Sequence, residues 1–165
     1  GHTAVVAILL NYARVDPAVE GNCALRLACE NGHTQIVMML LNDDRVDPAA
    51  VNNNAIITAS VNGRNEIVQM LLNDTRVNPS VDNNCAIRHA SKRGHTDIVA
   101  MLLKDERVDP SADDNFAIRR ACENGHTEIV RSLLKDGRVD PAGKENDAIR
   151  CASKNGHNEI VEILL

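Results

Sequence analysis

Glycine returns every 31 residues in this chain, at Gly1, Gly32, Gly63, Gly94, Gly125 and Gly156. The surrounding residues return with it. Leu-Leu pairs recur at Leu9, Leu40, Leu71, Leu102, Leu133 and Leu164, and Ile-Val pairs at Ile36, Ile67, Ile98, Ile129 and Ile160. "RVDP" or "RVNP" begins at Arg14, Arg45, Arg76, Arg107 and Arg138. An Asn opens each of "NCALRLA", "NNAIITA", "NCAIRHA", "NFAIRRA" and "NDAIRCA", at Asn22, Asn53, Asn84, Asn115 and Asn146. A fixed period of roughly 20–50 residues marks an array in which each repeat is one supersecondary unit. Such a chain has no single central core. Each unit hides its apolar stripe against its neighbours, so stability is close to a sum over units and their interfaces.

One repeat shows what the unit is. In residues 113–143, Ala117, Ile118, Ala121 and Cys122 fall at i, i+1, i+4 and i+5, the spacing of one helix face. Asn115 precedes that stripe and is a good N-cap type. Gly125 follows it, and glycine tolerates the left-handed backbone that ends helices. Ile129, Val130, Leu133 and Leu134 repeat the same spacing in a second helix. Thr127 is placed to cap it, and Glu128 puts negative charge in its first turn. Pro141 cannot continue a helix. The unit therefore reads as helix, tight turn, helix, extended loop. Isolated helices under about 12–15 residues are marginal in water, so the units must stack. The frame gives full repeats at 20–50, 51–81, 82–112 and 113–143, a partial repeat at 1–19 and a truncated one at 144–165. Further repeats are expected to flank the segment. The stripes Val5, Val6, Leu9 and Leu10, and Leu164 and Leu165, are expected to stay partly exposed.

"ALRLACENGHTQIVMMLL", from Ala24, and its siblings resemble the ankyrin repeat, most closely over G-H-x-x-I-V-x-x-L-L and over the V-D or V-N that follows. The resemblance covers the whole chain. The period is shorter than the family's usual one of about 33, which implies a shortened loop. The family's Thr-Pro-Leu-His is replaced by Cys23-Ala24-Leu25-Arg26 and its equivalents, so the Asn ladder is expected to take over helix capping. The resemblance implies an all-α ankyrin-repeat solenoid of stacked helix-turn-helix units with short extended loops or fingers. It also implies a non-catalytic scaffold that binds a partner protein in a concave groove lined by the fingers and the first helix of each repeat.

Bulk properties exclude several alternatives. Net charge is −5 and the pI about 5.6, against the basic footprint of a nucleic-acid binder. No apolar run approaches the ~20 residues of a membrane span. Five cysteines, an odd number at spacings unsuited to pairing, read as reduced thiols and favour an intracellular, cytoplasmic or nuclear, location. The Gly-His histidines (His2, His33, His95, His126, His157) stand one repeat apart, and Arg64 replaces one of them. A metal ion needs ligands converging within ~2 Å of one point, so these read as helix-start and inter-repeat hydrogen bonds. The arginines of the "RVDP" motif read as bridges to carboxylates within and between repeats. Ser and Cys interchange at positions 29, 60, 91, 122 and 153, which reads as small-residue packing. No catalytic set, cofactor site or metal site is expected.

Structural positions repeat, so positions where the copies disagree mark surface free to specialise. The slot after the Asn ladder holds Cys23, Asn54, Cys85, Phe116 or Asp147. Phe116 is one of two aromatic residues in the chain, and aromatic anchors carry much of the energy of protein interfaces. With it we place Arg120, His89, Lys92, Arg93, Asp113, Asp114, Thr58 and Glu123 as the expected partner-binding set. The aromatic poverty of the chain also fits a different role, a structural spacer or a rod that self-associates by end-to-end stacking.

Overall fold

The computed structural model describes all residues from Gly1 to Leu165 as eleven helices with no strand. The chain divides into two compact units, residues 1–79 and 80–165. The first holds α1 (Thr3–Leu10), α2 (Val19–Asn31), α3 (Thr34–Leu41), α4 (Ala50–Val61) and α5 (Asn65–Asn73). The second holds α6 (Val81–Arg93), α7 (Thr96–Leu103), α8 (Ala112–Glu123), α9 (Thr127–Asp136), α10 (Gly143–Lys154) and α11 (Asn158–Leu164).

Each unit is two layers deep. In residues 1–79, α2 packs on α4 in one layer, and α1, α3 and α5 line up in the other. In residues 80–165, α6, α8 and α10 form the first layer and α7, α9 and α11 the second. The expected stripes supply the core between layers. Ala86, Ile87, Ala90, Ile98, Val99 and Leu102 are fully buried, as are Ala117, Ile118, Ala121, Cys122, Ile129, Val130 and Leu133. Leu134 is only half-buried. Val46, Val77, Val108 and Val139, from "RVDP" and "RVNP", close the core at the loops. The small residues of the first layer let its helices approach closely, and the branched residues of the second fill the space beneath them.

The turn that leads into each first-layer helix is left-handed for three consecutive residues. Asp82, Asn83 and Asn84 have φ of 49°, 58° and 60°. The same conformation recurs at 20–22, 51–53, 113–115 and 144–146. Asn and Asp adopt this region more readily than other non-glycine residues. Val51, at φ 53°, is a β-branched residue held there against its preference.

This geometry corrects the capping expected of the Asn ladder. Asn84 ends the turn with its side chain buried. Its Oδ1 accepts the backbone N–H of Asp109, 25 residues on, at 2.8 Å. Asn22, Asn53 and Asn115 accept in the same way from Asp47, Asn78 and Asp140. The ladder ties each turn to the loop of the next repeat. Thr127 does not cap α9 either. It is the first residue inside the helix, and His126 holds the cap position without a side-chain cap bond.

The histidines link repeats. His126 Nε2 lies 3.1 Å from the Lys92 carbonyl and His157 Nε2 3.1 Å from the Glu123 carbonyl. A carbonyl only accepts, so Nε2 carries the proton in each. Gly94 and Gly125 make room for these rings. Both have positive φ, and a Cβ there would stand 2.7 Å from the imidazole of His126 or His157.

The arginines of "RVDP" behave partly as expected. Arg76 makes a two-pronged pair with Asp74, and its other donors reach the carbonyls of Val46 and Leu41 in the preceding repeat. Arg45 does the same with Asp43, Val15 and Leu10. The hydrogen bonds between repeats thus run to backbone, while carboxylates of the preceding repeat, Asp16 for Arg45 and Asp47 for Arg76, add attraction without a bond. The Asp two residues after the Arg folds its own loop, as Asp109 Oδ1 does on the Ser111 N–H at 2.9 Å.

Candidate partner-binding surface

In residues 80–165, α6 and α8 set Phe116 amid cations. The guanidinium carbons of Arg88 and Arg120 lie 5.0 Å from its ring centroid and that of Arg119 lies 5.8 Å away. The His89 ring is centred 6.3 Å away, tilted by 40°. Guanidinium planes within about 6 Å of an aromatic ring are attracted by its quadrupole. The ring is half-buried, so part of it faces solvent.

Each arginine is fixed by acids and carbonyls. Arg88 pairs with Asp113 at 2.6 Å and Arg119 with Asp147 at 3.1 Å. Arg120 pairs with Glu123 one turn along its own helix. Arg119, only 5% exposed, also donates to the carbonyls of Asp114 and Asp113, the left-handed residues that begin α8. Arg26 binds the carbonyls of Gly21 and Glu20 in the same manner. A side chain five or six residues into the helix therefore clamps the turn before it. Ile57 stands at that position in α4.

Lys92 and Arg93 lie one turn beyond His89 on the same helix, exposed and without an ion-pair partner. Burial lowers the His89 pKa, and the neighbouring charges of Arg88, Lys92 and Arg93 lower it further, so the imidazole is mostly neutral near pH 7. Lys92 and Glu123 offer their carbonyls to His126 and His157, which anchors the C-terminal ends of α6 and α8 to the following repeats.

Of the residues expected from sequence, Phe116, Arg120, His89, Asp113 and Glu123 thus form one cluster with Lys92 and Arg93 alongside. Asp114 enters through its carbonyl, while its exposed carboxylate makes no ion pair. Thr58 belongs to the unit of residues 1–79, where its hydroxyl donates to the Asn54 carbonyl at 2.9 Å. Arg88, Arg119 and Asp147 lie outside the set expected from sequence, although Asp147 fills the slot that Phe116 fills one repeat earlier. The recurrence of Arg at 26, 88, 119 and 150 was the signal for the first two.

No group of three or more His, Cys, Asp or Glu side chains is placed to hold a metal ion, and no helix is long and apolar enough to cross a membrane. A family model described as ankyrin repeat matches residues 20–53, and one described as three copies of the ankyrin repeat matches residues 44–114 and 89–165. The chain belongs to the ankyrin-repeat family. Ankyrin repeats generally mediate protein–protein interactions. No curated protein matches this ankyrin-repeat chain.

Proposed function

We propose that this ankyrin-repeat chain is a non-catalytic binding module that holds a partner protein against α6 and α8, with Phe116 as the anchor. The observation that carries this reading is the half-buried Phe116 ring among three guanidinium groups. Those groups are already ordered by Asp113, Asp147 and Glu123, so little side-chain entropy remains to be lost on binding. Capture of a purified partner by the wild type and by a Phe116→Ala, Arg120→Glu variant tests it. Loss of capture in a variant that still unfolds cooperatively is expected, and unchanged capture removes these residues from the interface.

Self-association is the second reading. Val5, Ile8 and Leu9 of α1 and Tyr12 just after it are exposed, Ile8 at 58% and Tyr12 at 59%. Apolar patches of this kind mark contact surfaces. Light scattering should then show mass rising with concentration, suppressed by Ile8→Lys. A constant monomer mass removes this reading.

A further inference from the structure

The charges on the first layer of residues 80–165 do not cancel. Asp113, Asp147 and Glu123 are engaged by Arg88, Arg119 and Arg120. Lys92, Arg93 and Lys154, at the C-terminal ends of α6 and α10, are exposed and make no ion pair. Helix α6 carries a single acid, Asp82, at its opposite end. With the exposed Asp114 and Glu145 included, α6, α8 and α10 carry eight Lys and Arg against six Asp and Glu, a local excess of positive charge in a chain of net charge −5, on the same helices that hold Phe116.

We propose that this face takes an acidic partner segment, an extended peptide rich in Asp and Glu. An apolar side chain of the peptide covers Phe116, and its carboxylates face Lys92, Arg93 and Lys154. The inference rests on the binding reading above and names the chemistry of the partner. Complementary charge sets partner choice and speeds encounter more than it adds affinity, and a central aromatic supplies the desolvated contact. A nucleic acid is disfavoured. One aromatic ring offers little for stacked bases. The helix dipole also favours cations at these C-terminal ends, but a role confined to the dipole concerns stability alone.

The test uses the whole chain and an array of peptides of about twelve residues, ~40 Å when extended, spanning all net charges. The expected result is a bound set enriched in Asp and Glu. Its affinity should fall with added salt and drop about tenfold in a Lys92→Glu, Arg93→Glu variant whose thermal unfolding matches the wild type. A bound set that is not acidic but is lost on Phe116→Ala overturns this inference and leaves the binding reading standing. No bound peptide, or binding that neither variant changes, overturns both. Tighter binding of a polyuridylate of equal length than of the best acidic peptide also overturns the inference.

Discussion

Arg64 Nε donates to the Glu30 carbonyl over 3.1 Å, the bond that His126 and His157 make to Lys92 and Glu123 from the equivalent position. Two unlike side chains thus meet one requirement, a donor for a carbonyl 34 residues earlier. Arg64→His should leave stability within about 0.5 kcal/mol of wild type, whereas Arg64→Ala should cost about 1 kcal/mol. Urea denaturation of both variants measures this. Equal losses would mean that the guanidinium stem, and not the bond, matters there.

The glycines separate backbone strain from crowding. Gly125 and Gly137 both have positive φ, but a Cβ on Gly125 would meet the His157 ring at 2.7 Å while one on Gly137 meets nothing within 4 Å. Gly137→Ala should cost about 1 kcal/mol, the strain of the left-handed region alone. Gly125→Ala should cost roughly 1 kcal/mol more, because the ring must leave its carbonyl. Thermal unfolding of the pair decides it, and equal shifts would show that the ring yields freely.

The arginine clamp can be removed or added. Arg119→Ala takes away donors to two carbonyls and to Asp147 and should cost about 2–3 kcal/mol, with an unchanged denaturant slope. Ile57→Arg places a guanidinium near the carbonyls of Val51 and Asn52, by analogy with Arg26 and Gly21 and Glu20. It should be tolerated or should raise the denaturation midpoint. A clear fall would show that α4 packs its turn differently.

Acid should weaken the loops. The paired arginines hold Asp74, Asp105 and Asp136 below the usual carboxylate range, and Arg45 takes Asp43 down to about 2. A depressed folded pKa stabilises above the unfolded value and is lost as pH falls through the folded one. Stability should therefore drop between about pH 4 and pH 2. Asp105→Asn should be weaker at pH 7 yet lose less on acidification, as followed by circular dichroism. An identical pH profile for variant and wild type would separate the pair from the acid response.

The thiols should divide into two classes. Burial pushes Cys29 and Cys122 up to about 12, so they hold almost no thiolate near neutral pH. Cys23, Cys85 and Cys151 are only half-buried. A chromogenic disulfide reagent should titrate these three first, with Cys85 and Cys151 slowed by the burial that pushes their thiol pKa up, and the other two at the rate of unfolding. Five fast thiols would mean that the first layer opens easily.

The helices were legible because Ile129, Val130 and Leu133, and their counterparts, carry a periodic signal that packing alone explains. The left-handed turns were not. Their residues include Val51 and Lys144, which do not favour positive φ, so only the Asx-rich copies Asp82-Asn83-Asn84 and Asp113-Asp114-Asn115 hinted at them. Spacing within one helix suggests only a local cap bond for Asn115. Its partner, the Asp140 N–H, is a neighbour only after the repeats stack. Phe116 stood out by rarity and slot, but its cation setting depends on Arg88, which comes from the repeat before.

The inter-repeat bonds run at fixed offsets, from Asn84 forward 25 residues and from His126 and Arg138 back 34 and 30. Duplicating or excising a whole 31-residue block leaves every such donor facing an equivalent acceptor. Adding a single residue to one loop shifts several of them out of reach at once. A gene encoding this chain can therefore grow or shrink in whole-repeat steps without breaking these bonds.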